Sequence, residues 1–554
     1  MDDKKRLRLK VVFPFFAATI MVLGMVIGFR LHDTLRNKRD ISTVVERSDR
    51  LEQLIDLIRQ NYVDSINTDG LYSDAIKGIL SHLDPHTTYI PADELDAVND
   101  GLSGSFFGIG IEYAIIRDSL QVTYVVPNGP SALAGVRVGD RIIKVNDTLV
   151  AGAGLPSQSI VDKLRGAQNT EVDVSVKSID APGIRDLKIV RDEVPIVSVD
   201  AGFMLDANTG YIKINRFSAT TYAEFAKALT AVKRKGATNL ILDLRQNPGG
   251  YLDAARDIAD EFLDDHKLIV YTKSLHEKEQ DYRAVNDGMF EEGRLIILID
   301  EGSASASEIL AGAVQDWDRG VIVGHRSFGK GLVQEQYNLD DGSALRLTIA
   351  RYYTPSGRSI QRSFKKGKAA YAAAYAARFK DGELTGDTSV AKEDTQAYYT
   401  LVTHRLVHGG GGIKPDVYVP YDSGRISPEM LHLLVSDHLQ EAIWDYYSEH
   451  YKSLKSYQSS LDFSRNFKGG TDILESFLRK LPPSGRLMAT SVFQRPQNRD
   501  YFLLQTRSQI ARILFGNNGY YAVSATGDDF IKEALQIIHS SKYDQLIGRK
   551  PVHP

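Results

Sequence analysis

The spacing of apolar residues changes along this chain, and each change predicts a different kind of element. Residues 11–29 carry no charge at all, from Val11 to Phe29. As a helix those residues would reach about 28 Å, close to one membrane hydrocarbon core. From 41 to 100 the period becomes helical and amphipathic. Leu51, Leu54, Ile55 and Ile58 recur at that spacing, as do Ile76, Leu80 and Leu83, with LDPHTTYIP breaking the pattern at Pro85 and Pro91. Between 101 and 192 the pattern shifts to short strands rich in β-branched residues: 120–126, 140–145 and 172–176, with a helix over 158–164. This stretch predicts a small β-rich module of domain size.

From 193 to 422 strands and helices alternate. YIKINRF, LILDL, LIILID, VIVG and ALRLTIARYY read as strands. TYAEFAKALTAVKRK, the segment 252–262 and SASEILAGAVQDW read as helices. That order predicts an α/β core. Residues 364–400 are Ala-, Lys- and Gly-rich and read as an insertion. From 423 to 554 apolar residues return to helical spacing, which predicts a separate all-α region. The expected fold class is therefore multidomain α/β: a membrane helix within 1–40, a helical segment, a β-rich module, an α/β core and a C-terminal helical region.

Charge orients the first prediction. Lys4, Lys5, Arg6, Arg8 and Lys10 precede the uncharged stretch. Their bias puts residues 1–10 in the cytoplasm and the rest of the chain outside it, in the periplasm or cell envelope of a bacterium, anchored by an uncleaved signal. A cleaved signal peptide is the competing reading. The full chain has 67 basic and 71 acidic residues, so no basic excess points to nucleic acid. It has no cysteine, which excludes disulfides, thiol catalysis and thiolate metal sites.

Three short segments hold candidate chemistry. In EGSASASEILAGAVQ a strand-to-helix turn carries Ser303, Ser305 and Ser307. Ser305 and Glu308 have capping-box spacing, so a plain helix start is one reading. The other is an exposed hydroxyl at a positive helix end, where free N–H groups stabilise an oxyanion. A serine needs a base. Lys330 lies between Gly329 and Gly331, so its amine can enter a cleft, where desolvation would leave it neutral. Gln334, four residues on, can orient it. His325 is an alternative base. The turn in DLRQNPGG offers backbone N–H donors at Gly249 or Gly250.

These segments, together with LDPHTTYI, FGIGIEY, GPSALAGVRVGDRIIKVND, LTIARYYTPSGRSIQ and GGIKPD, stand in the order found in the carboxyl-terminal processing, or tail-specific, serine peptidases. The chain resembles that family over about residues 56–419. The resemblance implies a crotonase-like protease core and a PDZ domain. It also implies a serine endopeptidase that cuts proteins near their C-terminus through an acyl-enzyme, without metal or cofactor. In the family the serine precedes the lysine by 25 positions, which singles out Ser305. Lys330 is then the general base, Gln334 its orienting partner, and Ala306 with Gly249 or Gly250 the oxyanion donors. Glu308, Asp316 and Ser327 match supporting positions. In the PDZ domain, Phe107, Gly108, Ile109, Gly110 and Ile111 would meet the substrate C-terminus by strand addition, recognising it and gating activity. The isoleucines could equally fill the module's own core. The expected partners are proteins or peptides with free C-termini, the membrane, and a second copy of the chain through helical regions. A scaffold with an inactive protease fold is the non-enzymatic alternative.

Overall fold

The computed structural model describes residues 50–264, 266–386, 396–422 and 427–548. The chain forms two compact units, divided after Leu83. The described part of the first is two helices, 50–61 and Thr68–Ser81. Asn67 caps the second through its side chain, which accepts from the Gly70 N–H.

One part of the expected fold class is corrected. Among the described residues no helix is long and apolar enough to cross a membrane. The stretch 11–29, on which the membrane helix was read, lies outside the described residues, as do 387–395 of the expected insertion. The described residues form a multidomain α/β protein.

The second unit is organised by a six-stranded sheet. Its order is Val199–Met204, Thr209–Ile214, Asn239–Asp243, Arg294–Ile299, Val321–Gly324 and Val417–Tyr418. The first pair is antiparallel and the rest are parallel. These strands are nearly continuous apolar runs because both faces are covered. Leu240, Leu242, Leu295, Ile297 and Ile299 meet helices Thr221–Arg234, Leu252–Asp260 and Ala306–Asp316 on one side. Their neighbours Ile241, Ile296 and Leu298 meet Phe530, Ile531, Ala534 and Ile537 of the Asp529–Ile538 helix on the other. The C-terminal helices thus supply one layer of the α/β core.

A second sheet of five strands carries the remaining site elements. Thr88–Ile90 and Leu332–Asn338 both pair with Ala344–Tyr353, which also pairs with Leu268–Ser274. The β-rich module has its own sheet, in the order Ile111–Ile115, Leu120–Val125, Arg141–Val145, Glu171–Lys177, Ile184–Val190. Ile160 and Leu164 of the Ser157–Leu164 helix close its core. Residues 428–546 are helical throughout their regular elements. Trp444, Tyr447 and their neighbours pack on Ile116 of the module.

Candidate active site

Ser305 sits where the strand Arg294–Ile299 turns into the helix Ala306–Asp316. Its backbone has φ 55° and ψ −113°, a left-handed conformation that costs a non-glycine residue about 1–3 kcal/mol. The turn is held by its neighbours. Ser303 and Ser307 are fully buried, and their hydroxyls donate to Leu244 O (2.8 Å) and Asn247 O (2.9 Å). Ser305 alone of the three is partly exposed. Burial therefore separates serines that the local sequence could not.

The glycine turn lies directly against this serine. A Cβ on Gly249 would stand 2.7 Å from both Ala304 O and Ser305 Cβ, and φ there is +97°. On Gly250 a Cβ would meet Phe217 O at 1.9 Å. Only glycine permits this approach. The Gly249 N–H is already spent on Asn247 Oδ1 at 2.9 Å. The N–H groups of Gly250 and Ala306 have no acceptor among the described residues.

Lys330 reaches the same region from the loop before the strand Leu332–Asn338. Its Nζ donates to Gln334 Oε1 at 2.7 Å, and Gln334 Nε2 donates to His86 O at 2.6 Å. The second bond fixes the amide so that its oxygen faces the amine. Burial, then the charge of Arg346, holds the Lys330 amine below the ordinary lysine range, against the opposing pull of Asp84 and Glu308.

Glu308 joins the two halves. Its buried carboxylate accepts from Ser305 N (2.9 Å), Lys330 N (2.9 Å), Gly329 N (2.8 Å) and Ser327 Oγ (2.5 Å). Burial pushes its pKa up to about 7 against these four donors. Ser327 Oγ also accepts from Ile413 N at 2.6 Å, which draws in the GGGGIKPD segment. Tyr352 closes the site from beneath, its hydroxyl donating towards Ser305 O (3.1 Å) and Lys330 O (2.5 Å).

Asp316 lies at the far end of its helix, about 16 Å from Ser305 by helical rise. It pairs with Arg358 at 2.8 Å, both side chains being fully buried, and accepts from Ser356 N at 2.9 Å. It anchors the turn after Ala344–Tyr353 and does not touch the serine turn's polar groups. His325, the alternative base, is fully buried. Its ring nitrogens face Glu301 Oε2 (3.1 Å) and Val419 O (2.6 Å).

Two sets of residues join the site beyond those read from sequence. Asp84 accepts from His86 N (2.8 Å) and Thr87 N (3.0 Å), shaping the turn that offers His86 O to Gln334. Burial lowers the His86 ring to about 4, so it is neutral, and it contacts the Tyr371 hydroxyl at 3.1 Å. Tyr371 lies on the Lys368–Lys380 helix of the insertion. Arg378 of the same helix donates to Ser327 O at 3.0 Å. The signals were present: a His in a Pro-bounded turn, and an Ala-rich run of high helix propensity.

In the β-rich module, Ile111–Ile115 is the edge strand, unpaired on its outer side among the described residues. Gly110 has φ +74° and starts it. Ile109 is 3% exposed and belongs to the module's core, with Ile111 packed against that core. Phe107 is exposed, and Gly108 is buried on the strand paired with Asp192–Pro195.

Comparison with known proteins agrees with this arrangement. Residues 208–367 match peptidase family S41, and residues 121–178 match the PDZ domain. The carboxy-terminal-processing protease of Bartonella bacilliformis is 33% identical over 351 residues, covering 63% of this chain and 79% of that protein. A probable CtpA-like serine protease of Staphylococcus aureus is 35% identical over 317 residues; the alignment covers 56% of this chain but only 62% of that relative. The solved photosystem II D1 C-terminal processing protease is 31% identical, with 56% of this chain and 89% of that one covered, at a TM-score of 0.31. On the extent and identity of the Bartonella match, the chain belongs to peptidase family S41, as a serine protease of the carboxy-terminal-processing type that bears a PDZ domain.

Proposed function

We propose that Ser305 and Lys330 form the catalytic dyad of this protease. The observation that carries the reading is the Lys330 amine, desolvated and held by Gln334, on a residue whose backbone N–H shares the Glu308 carboxylate with the backbone N–H of Ser305. Neutral Lys330 removes the Ser305 proton, and the oxygen attacks a substrate carbonyl. The resulting oxyanion is taken by the N–H groups of Ala306 and Gly250, the two donors without other acceptors. The lysinium then gives its proton to the leaving amine, and the tetrahedral intermediate collapses to an acyl-Ser305. Water, deprotonated by Lys330, hydrolyses that ester and restores the serine. Asp316 and Arg358 act at a distance, as a brace for the strand that carries Tyr352.

Substrates are proteins with free C-termini, which the PDZ domain binds by adding them as a strand to Ile111–Ile115. The open edge of that strand and the glycine turn before it support this. The catalytic part works outside the cytoplasm, a reading that rests on the basic residues among 4–10 preceding the uncharged stretch 11–29 in the sequence; cell fractionation tests it. Self-association through the helices 50–61 and Thr68–Ser81 is supported by exposed Leu54, Leu57 and Ile79, and light scattering tests it. For the dyad, Ser305→Ala and Lys330→Ala are each assayed on a protein with an apolar C-terminus. Both should lose turnover; full activity in either rejects the assignment.

A further inference from the structure

Arg346 is a cation close to Lys330 and Gln334 that has no carboxylate partner among the described residues. It stands on the strand Ala344–Tyr353, two residues before Thr348 and, beyond a register shift at residue 349, on the same strand as Tyr352. Tyr352 touches the carbonyls of Ser305 and Lys330. Across the ladder Gln334 opposes Thr348, and Gln336 opposes Arg346. Arg346 is thus one ladder step from the glutamine that holds the Lys330 amine.

Its own bonding is sparse. Nη2 donates to Gln336 Oε1 at 2.9 Å, and Gln336 donates to Asn99 Oδ1 at 3.0 Å. No carboxylate lies within ion-pair distance of it among the described residues. Other buried or half-buried arginines have fuller sets of partners: Arg358 has Asp316, Arg378 has Glu383, Arg405 has Asp318 and Asp416, Arg191 and Arg319 donate to backbone carbonyls, and Arg362 lies over the rings of Phe328, Tyr371 and Tyr375. Arg346 is half-buried and lacks such a partner. Partial desolvation of an unpaired guanidinium is unfavourable, whereas its planar fork fits a carboxylate through two parallel hydrogen bonds. With Gln334 and Gln336 at alternate positions of the facing strand, and Nη2 on Gln336, the guanidinium lies beside the base's side of the site, and its charge lowers the Lys330 pKa.

We propose that Arg346 binds a carboxylate of the substrate next to the scissile bond. That carboxylate is either the α-carboxylate at the end of the peptide or an Asp or Glu side chain near the cut. The proposal rests on the Ser305–Lys330 reading and adds a substrate class to it. Pairing has a mechanistic consequence. A substrate carboxylate on Arg346 offsets the repulsion that this cation exerts on lysinium, at the step where Lys330 must take the serine proton.

The test uses the full chain and two peptide series built on one apolar peptide that it cleaves. The first compares a free C-terminal acid with its amide. The second compares Glu with Gln at each position flanking the mapped cut, in amidated peptides. The wild type should favour the carboxylate member of one series by about 10-fold or more in kcat/KM, chiefly through KM. Arg346→Gln should shrink that ratio to under about 2-fold, and Arg346→Lys should restore part of it. The series that responds names the source of the carboxylate. The proposal is overturned if the wild type prefers neither member, or if Arg346→Gln slows both members equally and leaves the ratio intact. Full turnover of the parent peptide by Ser305→Ala would instead remove the dyad reading and this proposal with it.

Discussion

Replacing Gln334 by leucine isolates the contact that makes Lys330 a base. The amide makes two hydrogen bonds in series, from the Lys330 amine at 2.7 Å and to His86 O at 2.6 Å. Leucine removes both and fills a similar space. Loss of a partner to a buried polar group costs about 1–3 kcal/mol. If the amine bond is needed in the transition state, that range corresponds to a drop in kcat of roughly 5- to 150-fold. KM should change little, because Gln334 is spent on protein groups. The pH profile adds a sign. An oxygen acceptor favours the charged amine, so its removal lowers the Lys330 pKa further. The acid limb of activity, which rises as Lys330 loses its proton, should move to lower pH while the plateau falls. Initial rates on a peptide substrate across pH, with a thermal melt of each protein, measure both effects. A variant that is folded and keeps the wild-type plateau, or whose limb moves to higher pH, refutes the reasoning.

Further predictions follow the same geometry. Gly249→Ala should cut kcat by about 100-fold or more in a folded protein, because its Cβ would displace the Ser305 turn from 2.7 Å; steady-state kinetics check it. Arg358→Met strands a fully buried Asp316, and denaturant unfolding should show a loss of about 3–5 kcal/mol, with Asp316→Leu in addition recovering part of it. Ser303→Ala and Ser307→Ala should each lower stability by about 1 kcal/mol yet retain turnover, since their hydroxyls serve Leu244 O and Asn247 O.

The chain's apolar pattern made most regular elements legible. The β-branched runs at 120–126, 140–145 and 172–176 correspond to strands Leu120–Val125, Arg141–Val145 and Glu171–Lys177. Double burial produced the solid apolar runs at 239–243 and 294–299. Elements whose stability comes from neighbours gave no such signal. Gln280–Arg283 has only Tyr282 to pack on the core and sits at a sheet edge. Val199–Met204 carries Asp, Ala and Gly yet packs well, because the helix 221–234 and the helix containing Asn518 lie against it. The Ala-, Lys- and Gly-rich stretch read as an insertion contains a helix whose Tyr371 and Arg378 support the base loop. At the site, spacing within a resemblance pointed to Ser305. What sequence could not convey was the division of labour among backbone donors: that Asn247 occupies the Gly249 N–H, and that Glu308 collects four donors from both loops. Arg346 lay in plain view as a charged residue within an apolar strand, but only the ladder register brings it beside Gln334.

The central claim is that Ser305 carries the acyl group and Lys330 activates it. Its most direct measurement is the mass of the protein quenched in acid during turnover of an activated ester peptide, followed by digestion to locate the adduct. The account predicts an acyl group on Ser305, absent in Ser305→Ala and slow to form in Lys330→Met. An adduct on another residue, or equal acylation rates with and without Lys330, would contradict it.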